Sequence, residues 1–161
     1  RRQRQMCIRD RAITRIGDEA FYRRKLTSVV IPDTVESIGY DAFGVCALTE
    51  VKLPSALKHI EGFAFYRNKL KKVEFGGKEE TIEPSAFALN QLPKINLPET
   101  VEYIGASAFY QNDLTEVKLP EAMKKLDMYA FKKNNIHEVK IPAKIEFLHE
   151  KAFEENTDVI K

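Results

Sequence analysis

The residues able to do chemistry are few and scattered. Histidine occurs at His59, His137 and His149, and cysteine at Cys7 and Cys46. A metal site needs two or more such ligands brought together, and no pair here has a ligand spacing. Two cysteines make no disulfide framework. There is no Gly-x-Ser-x-Gly elbow, phosphate loop or His-Glu-x-x-His motif, and Gly76-Gly77 alone is a turn signal. Carboxylates are many, so counting does not decide whether two stand at glycosidase spacing. The chain is read as a non-enzyme, with no cofactor and no metal.

What is organised is polarity. Val30, Lys52, Glu74, Asn96, Lys118 and Lys140 follow one another at steps of 22 residues. So do Ser28, Glu50, Lys72, Lys94, Glu116 and Glu138, and also Thr27, Thr49, Lys71, Pro93, Thr115 and His137. Mixed charges on a rigid surface suit contact with a protein. The candidate protein-binding residues are Glu50, Lys52, Lys72, Glu74, Lys94, Asn96, Glu116, Lys118, Glu138 and Lys140. The alternative is a solvated face whose charge only prevents aggregation. None of these columns holds an aromatic residue, so sugar or base stacking is not indicated there. Tyr22, Tyr66 and Tyr110 recur every second repeat, either as a binding stripe or as turn packing with wet hydroxyls.

The elements that must position these columns follow from the same register. Ala-Phe recurs at Ala20, Ala42, Ala64, Ala86, Ala108, Ala130 and Ala152, always 22 residues on. Leu26, Val29, Ile31, Pro32, Val35 and Ile38 begin six further columns; Gly76 and Glu79 interrupt the Pro column and the one after it. In Leu114-Thr115-Glu116-Val117-Lys118-Leu119-Pro120 the apolar residues alternate, which is a strand period, and the proline suits its end. Val101-Glu102-Tyr103-Ile104 reads as a turn that returns apolar side chains to the interior. The Ala-Phe segment reads as one short helical or 3₁₀ turn. Such a unit cannot bury its large residues alone, so coils must stack, with parallel strands about 4.8 Å apart. Most of the 161 residues thus read as one repeat array.

Three residues after each Phe stand Arg24, Cys46, Asn68, Asn90, Asn112, Asn134 and Asn156. Asn offers a donor and an acceptor. Turned inward, the column would satisfy turn amides that stacking hides from water; the alternative is an exposed Asn-rich turn.

The unit Leu-x-x-Val-x-Leu-Pro-x-x-Val-x-x-Ile-x-x-x-Ala-Phe-x-x-Asn resembles the BspA-type leucine-rich repeat, from about Ile13 to Asn156. The resemblance implies a mainly β, right-handed leucine-rich-repeat solenoid with a parallel sheet on its concave side. It also implies a secreted or cell-surface protein that binds host, matrix or other cell-surface proteins. Recognition or adhesion through the concave sheet is therefore the leading function. A structural spacer displaying another domain of a longer protein is the alternative. Gly76-Gly77-Lys78-Glu79 departs from the pattern, so that coil is expected to bulge.

Composition bounds the partners. Hydrophobic residues are 43% and charged residues 31%, which argues against a disordered chain. No apolar run approaches a membrane span. Of 26 basic and 24 acidic residues, five Arg and one Asp lie in residues 1–11; the remaining 21 and 23 make no nucleic-acid surface. Residues 1–11 match no column and resemble translated sequencing-adapter read-through; a natural basic arm contacting nucleic acid or membrane is the other reading. The expected organisation is a tail over 1–11, the solenoid over 12–157 and a degenerate end over 158–161. Neither end shows a clear polar cap, so a fragment of a longer protein is expected.

Overall fold

The computed structural model describes residues 13–160, and the Arg-rich tail and its readings lie outside them. Eleven short strands form, all pairing in parallel. They are β1 (Arg15–Ile16), β2 (Ser37–Ile38), β3 (Glu50–Lys52), β4 (His59–Ile60), β5 (Lys72–Glu74), β6 (Thr81–Ile82), β7 (Tyr103–Ile104), β8 (Lys125–Leu126), β9 (Glu138–Lys140), β10 (Phe147–Leu148) and β11 (Asp158–Ile160). The chain is a parallel-strand solenoid of about seven turns with no helix among the described residues.

The continuous ladder runs where a turn was expected. It follows the Ile column in the order β1-β2-β4-β6-β7-β8-β10. The Val column, expected to carry the sheet, forms paired strands among the described residues only as β3–β5 and β9–β11, with an isolated bridge at Val30. Proline explains the first break. Lys71 donates its N–H to the Thr49 carbonyl at 2.8 Å. Its equivalent one coil later is Pro93, which has no N–H to give. The Ile-column strands contain no proline.

The Ala-Phe segment is not helical either. In every Ala-Phe turn but the last, the residue before the Ala is left-handed, as at Asp41 (φ 52°), Phe63 (φ 60°) and Ser85 (φ 59°). So in the same turns is the second residue after the Phe, as at Val45 (φ 53°) and Arg67 (φ 53°). A helix would turn every amide back on its own coil. Here alternate amides are released instead: Asp41, Phe43 and Val45 donate to the carbonyls of Gly62, Ala64 and Tyr66 in the next coil, at 2.8–3.0 Å. Those between them close tight turns, as Ala42 does to Gly39 and Gly44 to Asp41.

Two side-chain columns fill the space inside this frame. Phe21, Phe43, Phe65, Phe87, Phe109, Phe131 and Phe153 form one stacked spine, with centroids 5.1–5.4 Å apart and planes within 10°. Phe43, Phe65, Phe87 and Phe109 are fully buried. Beside them runs a buried Asn ladder. Asn90 donates to the carbonyls of Phe65 (3.0 Å) and Phe87 (3.1 Å) and accepts from the Leu70 amide at 3.0 Å. Asn68, Asn112 and Asn134 repeat this pattern. Cys46 stands in for the asparagine in its coil, its Sγ lying 3.2 Å from the Phe21 carbonyl. Asn156 is exposed, because the last coil is short. There Asp158 pairs with Glu138, an offset of 20 residues, and Thr157 bonds the Ile136 carbonyl at 2.9 Å.

The aberrant coil has its own solution. Glu79 is fully buried, and its carboxylate accepts the amides of Gly76 (2.6 Å) and Gly77 (2.8 Å). A Cβ on Gly76 would meet the Pro54 carbonyl oxygen at 2.0 Å, so glycine is required for the coil to close on its neighbour.

Phe87→Ala is expected to destabilise by about 3–5 kcal/mol, since rings on both sides hold the cavity open. Asn90→Ala strands one amide and two carbonyls and should cost about 2–4 kcal/mol. Asn156→Ala should stay within about 0.5 kcal/mol. Urea denaturation checks all three.

Candidate interaction face

The ten residues singled out above are all exposed and flank the inward-pointing Val51, Val73, Ile95, Val117 and Val139. Alternation along a strand produces this: one side chain in, its neighbours out. The face is organised in two places. In β3–β5, Glu50 stands opposite Lys72 and Lys52 opposite Glu74, so unlike charges adjoin across the pair. In β9–β11, Glu138 stands opposite Asp158 and Lys140 opposite Ile160. Between them, Lys94–Asn96 and Glu116–Lys118 have no strand partner.

Lys118 Nζ lies 2.9 Å from Glu99 Oε1, in the loop of the preceding coil. That loop stays close because Glu99 also accepts the Glu121 amide at 3.3 Å. Lys72 pairs with Glu74 of its own strand. The Lys72 ammonium holds the Glu74 carboxyl below the usual glutamate range, and Lys118 and the Glu121 amide do the same for Glu99. The lysines are pushed up in return. These groups are solvent-exposed, so their pairs are screened and contribute little to stability.

The face is shallow. One groove of about 270 Å³ runs between Ser28–Val30 and β3, reaching Lys72 and Glu74. Another of about 450 Å³ lies between β5 and Lys94–Asn96, with Phe75 and Pro98 at its side. Nothing here converges as a nucleophile and base would. Among the described residues, no three His, Cys, Asp or Glu side chains come together as metal ligands. His59 Nδ1 lies 3.0 Å from Thr81 Oγ1, and His149 Nδ1 accepts the Lys151 amide at 3.1 Å. Burial pushes the Cys46 thiol up, so it is no ready nucleophile.

A second polar face escaped the sequence reading. The outer side of the long sheet carries Arg15, Ser37, His59, Thr81, Tyr103, Lys125 and Phe147. Lys125 Nζ lies 5.1 Å from the Tyr103 ring centre and 5.5 Å from that of Phe147, and 3.2 Å from Asp127 Oδ2. The signal was the residue before each Ile-column member, unread because that segment was taken for a turn. The tyrosine column is half-buried at Tyr22, Tyr66 and Tyr110; Tyr66 packs edge-on to Phe63 at 5.2 Å.

The family model described as "BspA type Leucine rich repeat region (6 copies)" matches residues 14–137 and 80–161. No curated protein matches the chain. Several solved structures are similar. A leucine-rich repeat protein from Bacteroides ovatus is 25% identical with a TM-score of 0.74, over 83% of this chain and 36% of that one. The T. pallidum leucine-rich repeat protein is 30% identical with a TM-score of 0.72, over 84% and 66%. The pneumococcal vaccine antigen PcpA, at 22% identity and a TM-score of 0.62 over 83% and 44%, shares the fold. The chain thus spans between about a third and two thirds of these proteins' lengths.

Lys72→Ala should raise the Glu74 titration midpoint toward the ordinary 4.5, read by carboxyl NMR. The sign follows from a folded carboxyl that titrates lower than the unfolded one. The pair's contribution is present above the unfolded pKa and disappears as pH falls through the folded midpoint.

Proposed function

Because the chain belongs to the BspA-type leucine-rich-repeat family, we propose that it is a protein-recognition or adhesion module of a cell-surface protein, binding through the polar face of the Val column. The observation that carries this is the alternation itself. Ten exposed polar side chains repeat over five successive coils, flanking inward residues that are buried, or half-buried at Val73, with the Phe and Asn columns behind them. Binding side chains on a pre-organised backbone lose little entropy when a partner docks. Repeats that keep the interior constant and vary outward residues make an extended recognition surface.

The chemistry supports binding rather than turnover. The grooves are open, and the face pairs Lys with Glu side chains in solvent. No helix among the described residues is long and apolar enough to cross a membrane. The surface location rests on the family and is part of this proposal.

The test is a surface-plasmon-resonance screen against host matrix and cell-surface proteins, repeated with Lys52, Lys118 and Lys140 changed to Glu. Charge reversal should weaken a genuine partner by about tenfold or more. Arg15→Glu, on the long sheet, should leave it unchanged. Affinity untouched by the triple change rejects this face, and an array that binds nothing favours a spacer.

A further inference from the structure

Charge is nearly balanced over the body of the chain but is not evenly spread. After each Phe, side chains alternate between interior and solvent. In the coil of Phe65, Asn68 and Leu70 are buried while Arg67, Lys69 and Lys71 are exposed. In the coil of Phe21 the equivalent outward places hold Arg23, Lys25 and Thr27. The coil of Phe43 between them has Val45, Ala47 and Thr49 there, and the coil of Phe87 has Leu89, Gln91 and Pro93. Four successive coils thus set five cations and no carboxylate on this ledge. Acidic residues enter these columns only later, at Asp113 and Glu155.

The five cations form two rows with an uncharged strip between them. The rows are two coils apart, where the Phe spine behind them steps by 5.1 and 5.3 Å. None of the five has a carboxylate within ion-pair distance among the described residues. Arg23 is close enough to Asp41 to favour its ionised form, so the row of Arg67, Lys69 and Lys71 carries the greater free charge. Glu50, one residue beyond the ledge, stands opposite Lys72.

The backbone beneath is already committed. Arg67 donates to the Ala88 carbonyl at 2.9 Å, and Lys69 and Lys71 donate to those of Leu48 (3.0 Å) and Thr49 (2.8 Å). An acidic peptide therefore finds no free edge to pair with. The rings are committed too. The Arg23 guanidinium lies 5.2 Å from the centre of the Tyr22 ring, and Tyr66 packs edge-on to Phe63. That disfavours single-stranded nucleic acid, which needs open rings for its bases. The ledge suits a polymer recognised by anions along both its sides, with uncharged ring faces to lie on Val45 and Ala47.

We propose that this ledge binds a sulfated polysaccharide. The sugar chain would follow the uncharged coil, with sulfates reaching Arg23 and Lys25 on one side and Arg67, Lys69 and Lys71 on the other. Guanidinium and ammonium groups both make charge-assisted hydrogen bonds to oxyanions. This goes beyond protein recognition through the Val column and does not depend on it.

The probe is heparin, compared with desulfated heparin, polyglutamate and DNA in isothermal titration. Residues 1–11 hold five Arg, so each measurement is repeated on the full chain with those Arg changed to Gln. Heparin should bind both chains, with affinity falling as salt rises. R67Q/K69Q/K71T should bind at least about tenfold more weakly. Each replacement already stands in its own column, at Gln111, Gln91 and Thr115, so the thermal melt should stay unchanged. K25Q, in the other row, should weaken binding severalfold, while K118E/K140E on the Val-column face should leave it unchanged. No binding by the chain lacking the tail arginines, equal binding of desulfated heparin, or indifference to R67Q/K69Q/K71T overturns the proposal. So does tighter binding of DNA or polyglutamate, which would assign the ledge to nucleic acid or to an acidic protein.

Discussion

Every coil hides backbone amides from water, and each must find a partner in the coil above or below. The rest of the structure depends on that obligation. The Ala-Phe turns discharge it by alternating left-handed residues, which aim Asp41, Phe43 and Val45 at the next coil. The Asn ladder covers the amides and carbonyls that the turns leave over, as Asn90 does for Leu70, Phe65 and Phe87. Phe stacking follows as a consequence, since coils locked by their backbones place equivalent rings face to face about 5.3 Å apart. Val45 and Phe63 adopt a conformation that their side chains disfavour. The ladder holds them there.

How much of this was legible depends on whether side chains or backbone carried the information. The Phe spine and the Asn column were readable because a stacked interior needs the same residue type in every coil. The site of the long ladder was not. Two residues of strand, such as Ser37–Ile38, are too few to display a period, and an amide donor leaves no mark on the side-chain pattern. The left-handed turns were hidden likewise, because Asp, Phe, Ser and Tyr share that column without a common glycine or asparagine. The shortened last coil could not be seen until Val159 was found beside Val139.

The candidate face divides the same way. Alternation foretold that Glu50, Lys52, Lys72 and Glu74 would be exposed, and their cross-strand neighbours follow from the register. Pairing beyond the strands did not follow. Lys118 finds Glu99, which is 19 residues away in sequence and brought near by a loop amide. Pro93 was visible as a column member, but its effect needed the bond that Lys71 makes in the coil before it. Lys125 between Tyr103 and Phe147 needed the long sheet to exist before its neighbours could be named.

One feature of the turns reaches further. In the frame set by Asp41, Phe43 and Val45, released amides all point toward later coils and accepting carbonyls toward earlier ones. The upper surface of one storey is therefore the same shape and polarity as that of the next. Removing or inserting a whole period leaves matching surfaces at the join, so the array is modular in length. Recombination between copies can lengthen or shorten it without disturbing the frame, whereas the last period, two residues short, keeps its strand pairing but leaves Asn156 out of the ladder.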